Sequence, residues 1–171
     1  MADVLDVAEQ ILITKGPTDT YSLQKLVYYS HAYHLAKFQR PLFSDEIQAW
    51  ANGPAVPTLF QTHRGSFRVS SVGGNPSRLE PSESESVNMA LRFYGDHDST
   101  WLVSQTHTEA PWIDARQGLD PGARGSSPIS DEAIAKYFDQ IFNDPEIDEA
   151  LADAESDPGV TVGQLYARYK Q

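Results

Sequence analysis

The sequence contains no cysteine, which removes disulfides, thiolate metal sites and thiol nucleophiles from consideration and suits a reducing compartment. It also has no apolar run approaching the ~18 residues needed to cross a bilayer. The first residues, Met1-Ala2-Asp3-Val4, lack the basic stretch that opens a secretory leader. A soluble, cytoplasmic protein is expected. Positive charge is scarce: Lys and Arg total 13 against 24 Asp and Glu, a net charge of -11. A phosphate backbone would be repelled over much of such a surface, so direct nucleic-acid binding is not expected, whereas a basic protein surface would be attracted. Missing too are the spacings that carry a mechanism by themselves. There is no Gly-rich phosphate loop, nucleophile elbow or His-Glu-x-x-His pair. No cofactor or metal is expected.

What is present is enough apolar material for one core. With 40% hydrophobic and 11% aromatic residues, a chain of this length folds without staples. Val4, Leu5, Ala8, Ile11 and Leu12 fall at helical spacing before Gly16-Pro17. After a turn at Thr18 to Thr20, the stretch from Tyr21 to Phe38 is apolar or aromatic around most of its circumference, the pattern of a central helix with neighbours on several sides. Pro41 stops it. Asn52-Gly53-Pro54 marks a chain reversal, and Pro57 suits the first turn of a helix reaching about His63. Ile47 and Phe67-Arg68-Val69 read as short strands or extended segments, and Ser70 to Pro81 as a loop.

Further on, Ser82 with Glu85 reads as a capping box, and Ser99 or Thr100 as the cap of a helix to about Thr106. Pro111 suits another first turn, Gln117 to Pro128 is a loop, and Ser130 caps a helix striped by Ile134, Tyr137, Phe138 and Ile141. Two more amphipathic segments follow, Glu146 to Glu155 and Thr161 to Lys170, and no basic residue occurs from Asp144 through Asp157. The expected fold is mainly α, a compact single-domain helical bundle with a short β-hairpin or extended segment near residues 44–72. Residues 1–143 form its core and 144–171 an acidic carboxy-terminal helical extension.

Few residues invite a chemical reading. His31 and His34 share a helix at i, i+3, but aromatic neighbours favour packing over metal binding. Ser104, Thr106, His107 and Asp114 include the residue types of a hydrolytic triad, yet type is not geometry. A hydrogen bond fixing a helix junction is the preferred role for His107. Trp50 and Trp112 read as core anchors or as the rim of a groove.

Particular residues resemble a known family. Leu23-Gln24-Lys25-Leu26-Val27-Tyr28-Tyr29 with His34-Leu35-Ala36, then Pro41-Leu42-Phe43, then Ala49-Trp50-Ala51-Asn52-Gly53-Pro54-Ala55-Val56-Pro57, are similar to the signature of the Panacea domain of SocA-like, GepA-like phage-associated antitoxins. Thr106-His107 followed by Pro111-Trp112, then Ile129-Ser130 leading to Tyr137-Phe138, agrees in type and order. The resemblance implies a mainly helical type II antitoxin that neutralises a protein toxin encoded beside it by direct binding. Its signature residues here are Lys25, Leu26, Tyr28, Tyr29, His34, Trp50, Gly53, Pro54, His107, Pro111, Trp112, Tyr137 and Phe138, serving structure or a groove. Some members add a helix-turn-helix domain, for which a chain of this length is expected to have no room.

The toxin contact is expected on the carboxy-terminal part, where Val162, Leu165, Tyr166 and Tyr169 with Leu151 offer aromatic and aliphatic anchors beside an acidic face. The same stripe would serve equally to pack on the domain. The groove at Trp50, Gly53, Pro54, His107 and Trp112 is the second candidate surface. Two other functions compete, a small hydrolase using His107 and an adaptor that delivers a bound protein to a protease.

Overall fold

Proline and glycine punctuation cuts the chain into short helices, and one long helix without such breaks takes the centre. In the computed structural model residues 1–156 are described. In chain order they form α1 (Val4–Lys15), β1 (Thr18–Asp19), α2 (Thr20–Phe38), β2 (Gln48–Trp50), β3 (Gly53–Ala55), α3 (Pro57–His63), β4 (Arg68–Val69), α4 (Pro81–Tyr94), α5 (Ser99–Thr106), α6 (Ala110–Ala115), α7 (Asp131–Phe142) and α8 (Pro145–Ser156). A single 3-10 turn, Pro76–Arg78, precedes α4. The fold is mainly helical with two small antiparallel pairs, one inside and one partly outside the 44–72 region.

Helix α2 buries nearly every side chain from Ser22 to Ala36. It packs against α1, α4, α5 and α7, which is what apolar residues around its whole circumference demand. Tyr29 stacks on Tyr94 of α4 with centroids 3.6 Å apart. Tyr28 meets Phe138 of α7 edge to face at 5.9 Å, and Leu26 and Phe138 are fully buried. His31 reaches α7, where Nε2 lies 2.7 Å from Asp131 Oδ1. His34 reaches α4, with Nδ1 2.8 Å from Ser86 Oγ. The two imidazoles thus serve different helix contacts, and burial pushes His34 down to about 4. The helix ends on Gln39 in the left-handed region, its N–H bonded to Leu35 O, two residues ahead of Pro41.

Three local readings are corrected. Thr18-Asp19 is not merely a turn: it pairs with Arg68-Val69, Thr18 opposite Val69. The capping box at α4 is formed by Glu80 and Glu83 rather than Ser82 and Glu85, with the Glu80 N–H donating to Glu83 Oε2 at 2.8 Å. Pro81 has the φ of a first helical residue and no N–H to lose, so the helix begins there and Ser82 falls inside it. At α5 the cap is Asp98, whose Oδ1 accepts from the Trp101 N–H at 2.8 Å; a carboxylate one residue earlier displaces both hydroxyl candidates. Among the described residues no helix is long and apolar enough to cross a membrane.

Candidate functional site

The β2–β3 hairpin is where the two halves of the sequence pattern meet. Strand pairing sets Trp50 opposite Gly53 across the two-residue turn Ala51-Asn52, and Gly53 adopts φ 107°, a conformation side chains resist. A Cβ at this glycine would lie 2.6 Å from Lys25 Cε and 2.6 Å from Thr106 Oγ1. The hairpin backbone is therefore clamped between α2 and the end of α5. Lys25, buried to 2% exposure, donates to Pro54 O at 3.0 Å. Next to it Gln24 reads the backbone of Val56 twice: its Oε1 accepts the N–H at 2.8 Å and its Nε2 donates to the carbonyl at 3.3 Å.

The second block closes the other side. The Trp112 indole N–H donates to Trp50 O at 2.8 Å, while His107 stacks on the Trp112 ring with centroids 4.0 Å apart. Pro111 is buried beside them in the first turn of α6. Arg116, 3% exposed, sits 4.9 Å above the same indole. It donates to Ala49 O at 3.0 Å, Asp120 O at 2.9 Å and Ala123 O at 2.6 Å. One guanidinium thereby ties the glycine- and proline-rich loop to the hairpin, and a bridge between Gln48 and Pro128 completes the seam. Tyr29 donates to Glu109 Oε1 at 3.0 Å, joining α2 to the start of α6. Tyr137 of α7 is partly buried, edge-on to Phe138 at 4.9 Å.

Burial lowers the Lys25 amine to about 7, against a smaller raising influence from Asp19. His107 and His63 are each pushed down by burial first, with the Lys25 charge acting in the same direction on both. His107 Nε2 is buried without a hydrogen-bond partner among the described residues. Ser104 and Asp114 are both exposed, and the described hydrogen bonds link neither to His107. At the end of α5 the imidazole stacks on Trp112 of α6 and hydrogen-bonds the backbone of Ala51 in the hairpin turn.

Beside the hairpin opens a groove of about 840 Å³. It is lined by Tyr21, Gln24 and Lys25 of α2 and by Trp50, Gly53, Phe60 and His63. Phe67 and Arg124 stand at the rim. Of the surface named from sequence, Trp50 and Gly53 line this groove, whereas Pro54, His107 and Trp112 stand behind it and support the hairpin. Gln24, Glu109 and Arg116 were not assigned roles by sequence reasoning. Their signal was present in the same motif blocks, but only contact partners reveal it.

Helix α8 packs by Ile147 and Ala150, both buried, with Leu151 partly buried against the core. Glu146, Asp148, Glu149, Asp153 and Glu155 are exposed, with Lys37 3.7 Å from Asp148 at one edge. The remaining residues of the expected toxin contact, Val162, Leu165, Tyr166 and Tyr169, lie outside the described residues.

The family model of the antitoxin SocA-like Panacea domain matches residues 23–113, more than half of the chain and the span from α2 to α6. No curated protein and no solved structure matches the chain.

Proposed function

Because the chain belongs to the SocA-like Panacea-domain antitoxin family, we propose that it is the antitoxin of a type II pair and neutralises, by direct binding in the cytoplasm, a protein toxin encoded beside it. The family match over residues 23–113 carries this reading. Most of its signature residues are buried, Lys25 and Trp112 fastening the hairpin and Tyr28, His34 and Phe138 packing α2 against α4 and α7, so in this reading the pattern serves the scaffold and partner choice falls to the surface. The exposed acidic face of α8 is the toxin-facing side in this proposal, together with the segment beyond it that contains Val162, Leu165, Tyr166 and Tyr169. A toxin that grips RNA needs a basic channel, and an acidic partner both accelerates capture and covers that channel.

The test is co-expression with the product of the neighbouring reading frame, followed by purification. Restored growth with a stable stoichiometric complex is expected. A toxic neighbour that this chain neither rescues nor binds rejects the proposal. Faster degradation of the bound partner in cells would reassign the chain as a protease adaptor, and turnover of a substrate lost in His107→Gln would reassign it as a hydrolase. Truncation after Ser156 is expected to abolish rescue while leaving the melting temperature unchanged; full rescue by the truncated chain would move the contact elsewhere.

A further inference from the structure

The exposed cations of this acidic chain are not all paired. Asp and Glu number 24 against 13 Lys and Arg, so a surface cation has acids in excess to meet, and Lys37, Arg40 and Arg92 each sit within ion-pair distance of one. Arg64, Arg68 and Arg124 are exposed and form no such pair among the described residues. They gather at one place. Arg64 and Arg68 flank Gly65, Ser66 and Phe67, which line the groove beside the hairpin, and Arg124 lines it from the loop between α6 and α7. No aspartate or glutamate occurs from Ile47 through Leu79, the stretch that supplies β2, β3, α3 and β4. Two carboxylates come near by other routes and are engaged elsewhere. Asp19, opposite Arg68 in the β1–β4 ladder, accepts from the Ser22 N–H at 2.9 Å, and Glu46 accepts from Gln48 Nε2 at 2.6 Å. The same place carries aromatic surface. Phe67 is 69% exposed and Tyr21 42%, and the Thr20 N–H, donating to Phe67 O at 2.9 Å, fixes the backbone that presents the phenyl ring. Trp50 and Phe60, half-buried, meet edge to face at 5.1 Å.

We propose that the groove and its arginine rim are a docking site for an acidic segment of a partner polypeptide: an aromatic or aliphatic side chain enters between Trp50, Phe60 and Phe67 while neighbouring carboxylates meet Arg64, Arg68 and Arg124. A guanidinium takes a carboxylate through two parallel N–H bonds and keeps its charge at any physiological pH. An exposed ring on a fixed backbone has little freedom left to lose on contact, the property that makes aromatic residues binding hot spots. At physiological salt a charge is felt over about 8 Å, so at contact the rim arginines, not the net charge of the molecule, select the sign of the partner. A single-stranded nucleic acid also uses rings and guanidiniums, but it carries a charge on every nucleotide towards a chain of net charge -11, and its approach is opposed. A peptide places its carboxylates at the rim alone. The site accepts the charge that the acidic face of α8 repels, so it goes beyond the antitoxin reading and is tested without any toxin.

The probe is a displayed library of random dodecapeptides selected on the 171-residue chain, with the enriched sequences synthesised and titrated by calorimetry. Enrichment of peptides that combine an aromatic or leucine side chain with several carboxylates is expected, and their binding should shift the Trp50 indole resonance. Replacing the peptide's carboxylates by amides should weaken binding by at least about tenfold. Arg64→Glu combined with Arg124→Glu should do the same, and Phe67→Ser should cost severalfold; all three changes fall at exposed positions and should leave the melting temperature unaltered. Enriched peptides that lack acidic residues, or an affinity indifferent to the amides and to the charge reversals, would overturn the proposal. So would enrichment no greater than in a parallel selection on the Arg64→Glu, Arg124→Glu protein. Should that double variant not fold, the comparison of acidic with amidated peptide decides the matter. Oligo-uridylate is titrated alongside, and tighter binding of it than of the best peptide would reject the proposal by assigning the surface to single-stranded RNA.

Discussion

Lys25 is the residue on which the largest single-site effects converge. Its amine falls from 10.5 to about 7 because burial penalises the charged form. Between those values the unfolded chain holds a proton that the folded chain has released, so stability rises with pH across that window and the full penalty applies below it. Lys25→Met removes this dependence. Its melting temperature relative to the parent should therefore be most favourable near pH 6 and decline by pH 9, a relative change on the order of 2–3 kcal/mol measurable by parallel thermal scans. A pH-independent difference would show that the amine stays charged in the fold. Gly53→Ala tests the same junction from the hairpin side. It adds a Cβ 2.6 Å from both Lys25 Cε and Thr106 Oγ1 at a positive φ, and should destabilise by about 2 kcal/mol or more. The sequence named Lys25 and Gly53 as signature positions, but nothing in their local pattern says that one rests on the other.

At the scale of elements, helix starts depend on which of several adjacent cap residues the backbone selects. Glu83→Ala should lower stability by about 1 kcal/mol in denaturant unfolding, since it releases the Glu80 N–H. Glu85→Ala, at the exposed position the sequence pattern favoured, should change it by less than about 0.5 kcal/mol. The loop between α6 and α7 offers a second case. Its composition reads as a loop, yet Arg116 holds two of its carbonyls, Asp120 O and Ala123 O, at 2.9 and 2.6 Å, and ties them to the hairpin through Ala49 O at 3.0 Å. Arg116→Lys keeps the charge but not the planar fork. Faster hydrogen exchange at residues 118–125 is expected, while amides of α2 keep their protection. A local composition score registers glycine and proline, and misses an anchor supplied from outside the loop.

For the molecule as a whole, a net charge of -11 attracts basic surfaces and repels acidic ones. The exposed carboxylates of α8 lie on one face, and an attractive field there raises association rates at low ionic strength. Neutralising Glu146, Glu149 and Asp153 to amides should slow association with the neighbouring gene's product severalfold in dilute salt, leave dissociation nearly unchanged, and flatten the salt dependence. Unaltered association kinetics would place the toxin contact away from α8.

The order of the helices, the central place of α2 and the overall acidity follow from the sequence alone, because helical periodicity, proline and glycine stops and net charge are local or summed properties. The convergence of Lys25, Thr106, Trp112 and Arg116 on one hairpin, and the enclosure of the Lys25 amine beneath it, were decided by tertiary structure. The bonds concerned join residues 29, 62 and 67 positions apart, far beyond the few residues over which a periodic pattern carries information. Only packing α2, α5 and α6 around the hairpin brings those groups within hydrogen-bonding distance.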